Sequence, residues 1–357
     1  MKTPVQTFVV TPAEAGQKLL QYLVRRLDGV VPQAALQRFI RTGQVRLDGK
    51  RCKPFDRVDE GQKVRVPPYE TEAAPAKTAP PRPGTAPGTP PPTGSPPAAR
   101  DRASAPSTAR APHPAATPDL PALDILHEDA ELLVVVKPAG LPVHPGSGHA
   151  LALTTILHAR SPDAPFRPTP AHRLDRDTTG ILLVAKSYRA LRRLHEAMAS
   201  GEAHKDYFAW VWGKWELGEV NEWLTLRDRL AKTGEPGRQR VEAGAQGKEA
   251  VSKVRLLTHM PTASLLEVRL ETGRTQQIRA QLAGRGHPIV GDAKYGGGAP
   301  PLLLHAWRLT LPEAAFCAPP DWAAPWGVQR LRRSVRDACR QAEPSPGETP
   351  TPPADPE

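Results

Sequence analysis

His172, Arg173, Leu174, Asp175, Arg176, Asp177, Thr178, Thr179 and Gly180 run directly into the apolar stretch 181–185. A polar, turn-prone segment that leads into a buried strand is where a fold can hold a reactive group rigidly at a cleft. Asp175 is the reactive candidate. A carboxylate with an arginine close in space is favoured in its charged form, and a charged carboxylate can act as nucleophile or base. The same residues admit two other readings. One is a solvated turn of alternating charge. The other is a metal-dependent hydrolase using His172, Asp175 and Asp177, although that spacing is not a familiar ligand set.

The elements around this turn follow from hydrophobic pattern. Leu132 to Val136 is wholly apolar and predicts a buried strand, with Lys137 to Pro145 as a rigid loop behind it. Residues 154–160 predict a short helix, and 189–199 a longer one with Leu191, Leu194 and Met198 inward. Residues 205–213 alternate over Tyr207, Ala209 and Val211, which predicts a strand. Residues 251–257 and 263–270 predict an antiparallel pair. Gly273-Arg274-Thr275 then turns the chain into a helix over 277–283. Strands and helices alternate irregularly and many strand pairs are local. The expected fold is therefore α+β with a mixed, largely antiparallel sheet, not a doubly wound parallel one.

A second unit lies ahead of it. Residues 16–27 predict a helix with Leu19, Leu20, Leu23 and Leu27 on one face. Pro32 opens another, with Leu36, Phe39 and Ile40 inward, Arg38 and Arg41 outward, and Gly43 at its end. Val45 and Leu47 alternate with Arg46, Asp48-Gly49 signals a hairpin turn, and 63–66 alternates again. Between residues 14 and 67 stand twelve Lys/Arg against six acids, over half of the chain's net charge of +11. So concentrated a charge points to a polyanionic partner.

The 43 prolines are unevenly spread. Residues 71–119 contain no Leu, Ile, Val, Met, Phe, Tyr, Trp or Cys. Such a segment lacks the apolar surface to offset its ordering entropy, so a disordered linker is expected over 69–119, and a disordered, acidic tail over 336–357. The expected domains are 1–68 and 120–335. Cys52, Cys317 and Cys339 form neither a disulfide framework nor a metal-binding spacing, which suits a reducing compartment. The N-terminus has no apolar core of a secretory signal, and no apolar run approaches the ~20 residues of a bilayer span. A cytoplasmic monomer is expected, with no membrane partner.

Five blocks of the chain, in order, resemble the RluA-type pseudouridine synthases. They are Glu128 to Gly140; His172 to Gly180; the alternating Lys205, Tyr207, Ala209, Val211 and Gly213; Leu266 to Arg279, with Gly273-Arg274-Thr275 at its centre; and Gly286 to Gly296. Residues 42–51 and 59–67 are similar to an S4-type RNA-binding domain. The resemblance implies isomerisation of uridine in RNA, which breaks N1–C1′ and makes C5–C1′. That chemistry needs no redox step and no group donor. No cofactor and no metal are expected, and the chain shows no dinucleotide fingerprint and no Walker loop.

By the same resemblance Asp175 is the catalytic residue, attacking the anomeric carbon or assisting glycal formation. Tyr207 stacks on the uracil and handles a proton. Arg279 pairs with Asp175, and Ile278 supplies an apolar wall. Arg173 fills the space vacated when the uridine leaves its stack. Lys137 is expected on a phosphate. Arg38, Arg41, Arg46, Lys50 and Arg51 of the S4-type unit grip RNA phosphates. The chain looks most like members that modify large-subunit ribosomal RNA, so 23S ribosomal RNA or the precursor large subunit is the expected partner. Another structured RNA such as tRNA, or a non-catalytic role in ribosome assembly, is the alternative. Gln276 and Gln281 stand where family members usually or often carry His. Glutamine does not titrate, so proton transfer at those positions is absent here.

Overall fold

Leu19 and Leu23 meet Leu36 and Ile40 across two short helices, and Val45, Val58, Val64 and Val66 close the other side of this first core. A computed structural model of the chain describes residues 2–27, 30–70, 121–145, 151–234, 240–299 and 301–328. The tail expected over 336–357, and the linker expected over 69–119 apart from Tyr69 and Glu70, lie outside the described residues.

The first unit runs β1 (Lys2–Thr3), β2 (Gln6–Val9), α1 (Leu19–Arg26), α2 (Gln33–Arg41), β3 (Arg46–Leu47), β4 (Lys63–Val66) and β5 (Tyr69–Glu70). Helix α1 starts three residues later than its apolar pattern suggests. Gly16 is left-handed at φ +84°, and the N–H groups of Leu19 and Leu20 are taken by the carbonyls of Asp56 and Pro54. Asp48 and Gly49 both have positive φ, as a tight hairpin turn requires. Strand β3 pairs with β4, which in turn pairs with β2. Alternation along β4 buries Val64 and Val66 and leaves Lys63 and Arg65 outward. Strand β5 pairs with β1, so the paired backbone of this unit reaches Glu70.

The larger unit contains β6 (Asp124–Glu128), β7 (Leu132–Lys137), α3 (Leu153–Arg160), β8 (Thr169–Pro170), β9 (Thr179–Ala185), α4 (Tyr188–Ser200), β10 (His204–Trp212), β11 (Leu224–Thr233), β12 (Arg240–Ala243), β13 (Lys248–Met260), β14 (Ala263–Leu270), α5 (Gln277–Ala283), β15 (Leu304–Thr310) and β16 (Ala315–Cys317). The main sheet has the order β12-β11-β13-β14-β10-β15-β9-β7-β6, with β8 and β16 paired at β9 and β15. Among the named strands only β9 and β15 pair in parallel, so the sheet is mixed and largely antiparallel, as the sequence pattern implies.

Strands β7 and β9 read as unbroken apolar runs because both of their faces are covered. Leu133, Val135, Leu182 and Val184 join the core on one face, and Leu132, Val134, Ile181 and Leu183 join the core under α4 on the other. Ser187 caps α4 by accepting the Ala190 N–H, and Gly201 ends it in the left-handed conformation. The N-terminal unit touches this face. The Tyr188 N–H donates to the Ala13 carbonyl at 2.8 Å, and the Arg25 guanidinium lies 4.9 Å from the Phe166 ring centre.

The parallel pairing explains the glycine that ends the charged stretch. A Cβ on Gly180 would lie 2.3 Å from the Ala306 carbonyl oxygen and 2.6 Å from its nitrogen, and φ there is +111°. The Gly180→Ala variant is therefore expected to lose roughly 2–4 kcal/mol of stability, combining backbone strain with overpacking. Urea denaturation checks this, and an unchanged midpoint would contradict the close approach.

Candidate active site

The charged turn between β8 and β9 is fixed by its neighbours rather than left in solvent. His172 Nε2 accepts the Leu183 N–H at 3.1 Å, and the residue is half-buried. Burial, with Lys205 adding to it, pushes His172 down to about 3, so the ring is neutral. The Lys137 ammonium donates to the carbonyls of Pro138, Leu141 and Arg176 at 2.7, 2.9 and 2.8 Å. It thereby ties the loop after β7 to the turn that carries Asp175. This corrects the expected phosphate contact. Lys137 is 0% exposed, and three converging carbonyls take the protons a phosphate would need. Burial lowers its pKa to about 8, against the pull of Asp177 and Asp175.

Asp175 Oδ2 accepts from Arg279 Nη1 at 3.0 Å. Arg279 comes from the first turns of α5 and is buried, not a surface helix residue. Its other edge is held by Asp292, with Nε to Oδ2 at 2.7 Å and Nη2 to Oδ1 at 2.8 Å. Asp292 also accepts the backbone N–H groups of Lys294 and Tyr295. Burial works against the Arg279 charge, but the bonds and charge of Asp292, with Asp175, outweigh it and move its pKa upward. The result is a planar fork with one prong on a fixed carboxylate and one on Asp175, geometry that guanidinium supplies and ammonium does not.

The entry to α5 is held with equal care. Gln276 sits in the left-handed region at φ +52°, and its Oε1 accepts the Tyr295 hydroxyl at 2.9 Å. Gln277 accepts the Arg274 N–H and donates to the Val251 carbonyl and Ser252 Oγ, which staples the Gly273-Arg274-Thr275 turn to β13. Gln281 is buried, accepts from Ser252 and donates to Asp228. The two glutamines that depart from the family's histidines thus serve as neutral connectors.

These elements enclose a cavity of about 270 Å³ lined by His172, Arg173, Asp175, Lys205, Tyr207, Ile278 and Arg279, among others. Tyr207 reaches it because alternation on β10 points 205 and 207 to the same side. Tyr207 is 5% exposed, and burial, then Asp175 and Asp206, raises its pKa. Ile278 is buried against the core beneath, and Arg173 is exposed at the rim. Arg38, Arg41, Lys50 and Arg51 are exposed and Arg46 half-buried on the N-terminal unit, and none of them lines this cavity.

His172, Asp175 and Asp177 do not converge as ligands. His172 Nε2 is taken by backbone, Asp177 pairs with Arg176, and among the described residues no three His, Cys, Asp or Glu side chains group around a common point. The pattern-based reading assigns no role to Asp292 and Lys205. Asp292 sits in the Gly286 to Gly296 block, where an acid inside a glycine-rich loop looks like turn chemistry.

Two histidines with depressed pKa values, half-buried His172 and buried His305, give this unit an acid lability. Burial takes His305 down to about 4, while its rings' nitrogens meet Thr179 Oγ1 and the Ala318 carbonyl at 2.7 Å each. In both His172 and His305 the folded pKa lies below the ordinary 6.5, so the unfolded chain takes up protons first as pH falls. Stability is expected to be full above pH 6.5 and to fall below it by about 1.4 kcal/mol per pH unit for each histidine, down to about 4 for His305 and about 3 for His172. Urea titrations at several pH values measure the slope, and His305→Gln should reduce it.

The profile of the RNA pseudouridylate synthase family matches residues 131–284. A ribosomal large subunit pseudouridine synthase C from Escherichia coli (strain K12) is 33% identical over 296 residues, which covers 83% of this chain and 81% of the relative. A protein of the same name from Pasteurella multocida is 34% identical over 319 residues, 85% of each chain. A solved human structure, RNA pseudouridylate synthase domain containing 1, aligns with 60% of this chain and 95% of its own at 24% identity and a TM-score of 0.49. The profile takes in the turn with Asp175, the strand with Tyr207 and the helix with Arg279, and the bacterial relatives extend the match over more than four fifths of the chain; this protein belongs to the RNA pseudouridylate synthase family.

Proposed function

We propose that the protein isomerises uridines of large-subunit ribosomal RNA to pseudouridine. The observation that carries this reading is Asp175, held at 3.0 Å by Arg279 and lining one cavity with Tyr207. The names of the bacterial relatives supply the choice of RNA. In this reading Asp175 acts on the sugar, Tyr207 stacks on the base and moves a proton, and Ile278 walls the base. Arg173 at the rim takes the place of the extruded uridine. The reaction takes place within residues 120–335, in the cytoplasm, on a monomer. The test is incubation of purified protein with 23S ribosomal RNA lacking the modification, followed by chemical mapping. New pseudouridines in that RNA support the proposal. Modification confined to tRNA would move the substrate, and no modification at all would leave an RNA-binding factor.

The N-terminal unit, residues 1–68, is proposed as the S4-type RNA-binding domain. Its support is the run of outward cations on α2 and the β3–β4 edge. If about four of them neutralise phosphates, removing residues 1–68 lowers the slope of log affinity against log salt by roughly 3–4. Binding titrations at several salt concentrations measure it, and equal slopes would mean that this unit does not touch RNA.

A further inference from the structure

Breaking the N1–C1′ bond sends its electron pair to the base. Asp175 takes the sugar carbon, or removes a proton to leave a glycal. On either route the uracil is for a moment a detached anion, with its charge spread over N1, O2 and O4. It turns, C5 bonds to C1′, and the C5 proton leaves. A cavity that stabilises that anion needs a positive group aimed where the charge appears, in a site that excludes water.

Arg279 is not that group, because it already faces two carboxylates, Asp175 and Asp292. Lys205 is different. It lines the same cavity as Asp175 and Tyr207, one alternation before Tyr207 on β10. Its ammonium makes no hydrogen bond or ion pair among the described residues, and a Cβ on Gly273 would stand 3.9 Å from its Nζ. Burial lowers its pKa, with no acid drawing it back up. Lys205 is half-buried, and an ammonium in that position without a partner is a ready counter-charge for an anion that enters the cavity.

We propose that Lys205 is a further catalytic residue, contacting the uracil and stabilising the anion formed when N1–C1′ breaks. This rests on the isomerase reading above.

The experiment compares wild type, Lys205→Met and Lys205→Arg under single turnover, on 23S ribosomal RNA transcripts made with uridine or with 5-fluorouridine. Fluorine at C5 stabilises the detached anion, so the need for the lysine falls. Lys205→Met is expected to cut the rate of N1–C1′ cleavage on the uridine transcript by about 10²–10³-fold. It should leave RNA binding nearly unchanged and the melting temperature no lower, because an unpaired charge has been replaced by an apolar chain of similar length. On the 5-fluorouridine transcript the deficit should shrink by about 10-fold or more. Lys205→Arg keeps the charge and should retain more activity than Lys205→Met. Equal deficits on the two transcripts overturn the proposal, and so does a loss confined to binding, which would make Lys205 a phosphate clamp. A Lys205→Met that does not fold, with Lys205→Arg fully active on both transcripts, would make the lysine structural. Wild type that cleaves neither transcript overturns the isomerase reading along with this one.

Discussion

Asp175→Asn is expected to bring uridine isomerisation to background while the protein stays folded and still binds RNA. Asparagine has the shape of aspartate and keeps an oxygen for Arg279 Nη1, but it can neither attack a sugar carbon nor take a proton. The loss should be on the order of 10⁴-fold or more, as for the removal of a nucleophile in other enzymes. The geometry also explains why the fold survives. Arg279 is anchored on its other edge by Asp292, so neutralising Asp175 leaves no buried charge alone. Single-turnover assays on ribosomal RNA, with a binding isotherm and a melting curve for the same preparation, make the test. Turnover clearly above trace would remove Asp175 from the chemistry.

Asp292→Ala is expected to damage the protein in two ways at once. The carboxylate is fully enclosed, and it receives both the Nε–Nη2 edge of Arg279 and two backbone N–H groups. Its removal leaves a buried guanidinium with a single partner. Breaking a buried pair from one side costs about 3–5 kcal/mol. The freed Arg279 can then turn both prongs onto Asp175, occluding the oxygen that must react. Activity should therefore fall by about 10²-fold or more even in preparations that are still folded at low temperature. Asp292→Asn, which keeps an acceptor and the shape, should recover part of the stability. Wild-type turnover by folded Asp292→Ala would show that Arg279 needs no second anchor.

Much of the frame around Asp175 is legible in the sequence because it rests on local pattern. The apolar runs of β7 and β9, the alternation of β10, the β13–β14 pair and the helical faces of α4 and α5 each announce themselves within a dozen residues. The members of the cavity wall on β10 and α5 follow from those periods once the Asp175 turn is placed beside them. What pattern does not carry is long-range pairing. Strand β15 has an ordinary apolar sequence, and nothing local says that it lies between β10 and β9 or runs parallel to the latter. Lys137 is misleading for a related reason. A lysine at the end of an apolar strand looks like an outward cation, and only the fold reveals three carbonyls gathered around it. Asp292 escapes notice because its partner lies across a turn in the chain, on α5.

The pairing of β9 with β15 has a consequence for how the protein comes into being. Thr179 and Gly180, at the end of the reactive turn, lie against His305 and Ala306, and Thr179 also meets the His305 ring. A chain synthesised from its N-terminus presents Asp175 long before the residues that seat it. Until the stretch around 304–310 leaves the ribosome, β9 has β7 and β8 beside it but lacks the strand that packs against Gly180. Competence is therefore expected only late in synthesis, once the last central strand has taken its place beside Gly180.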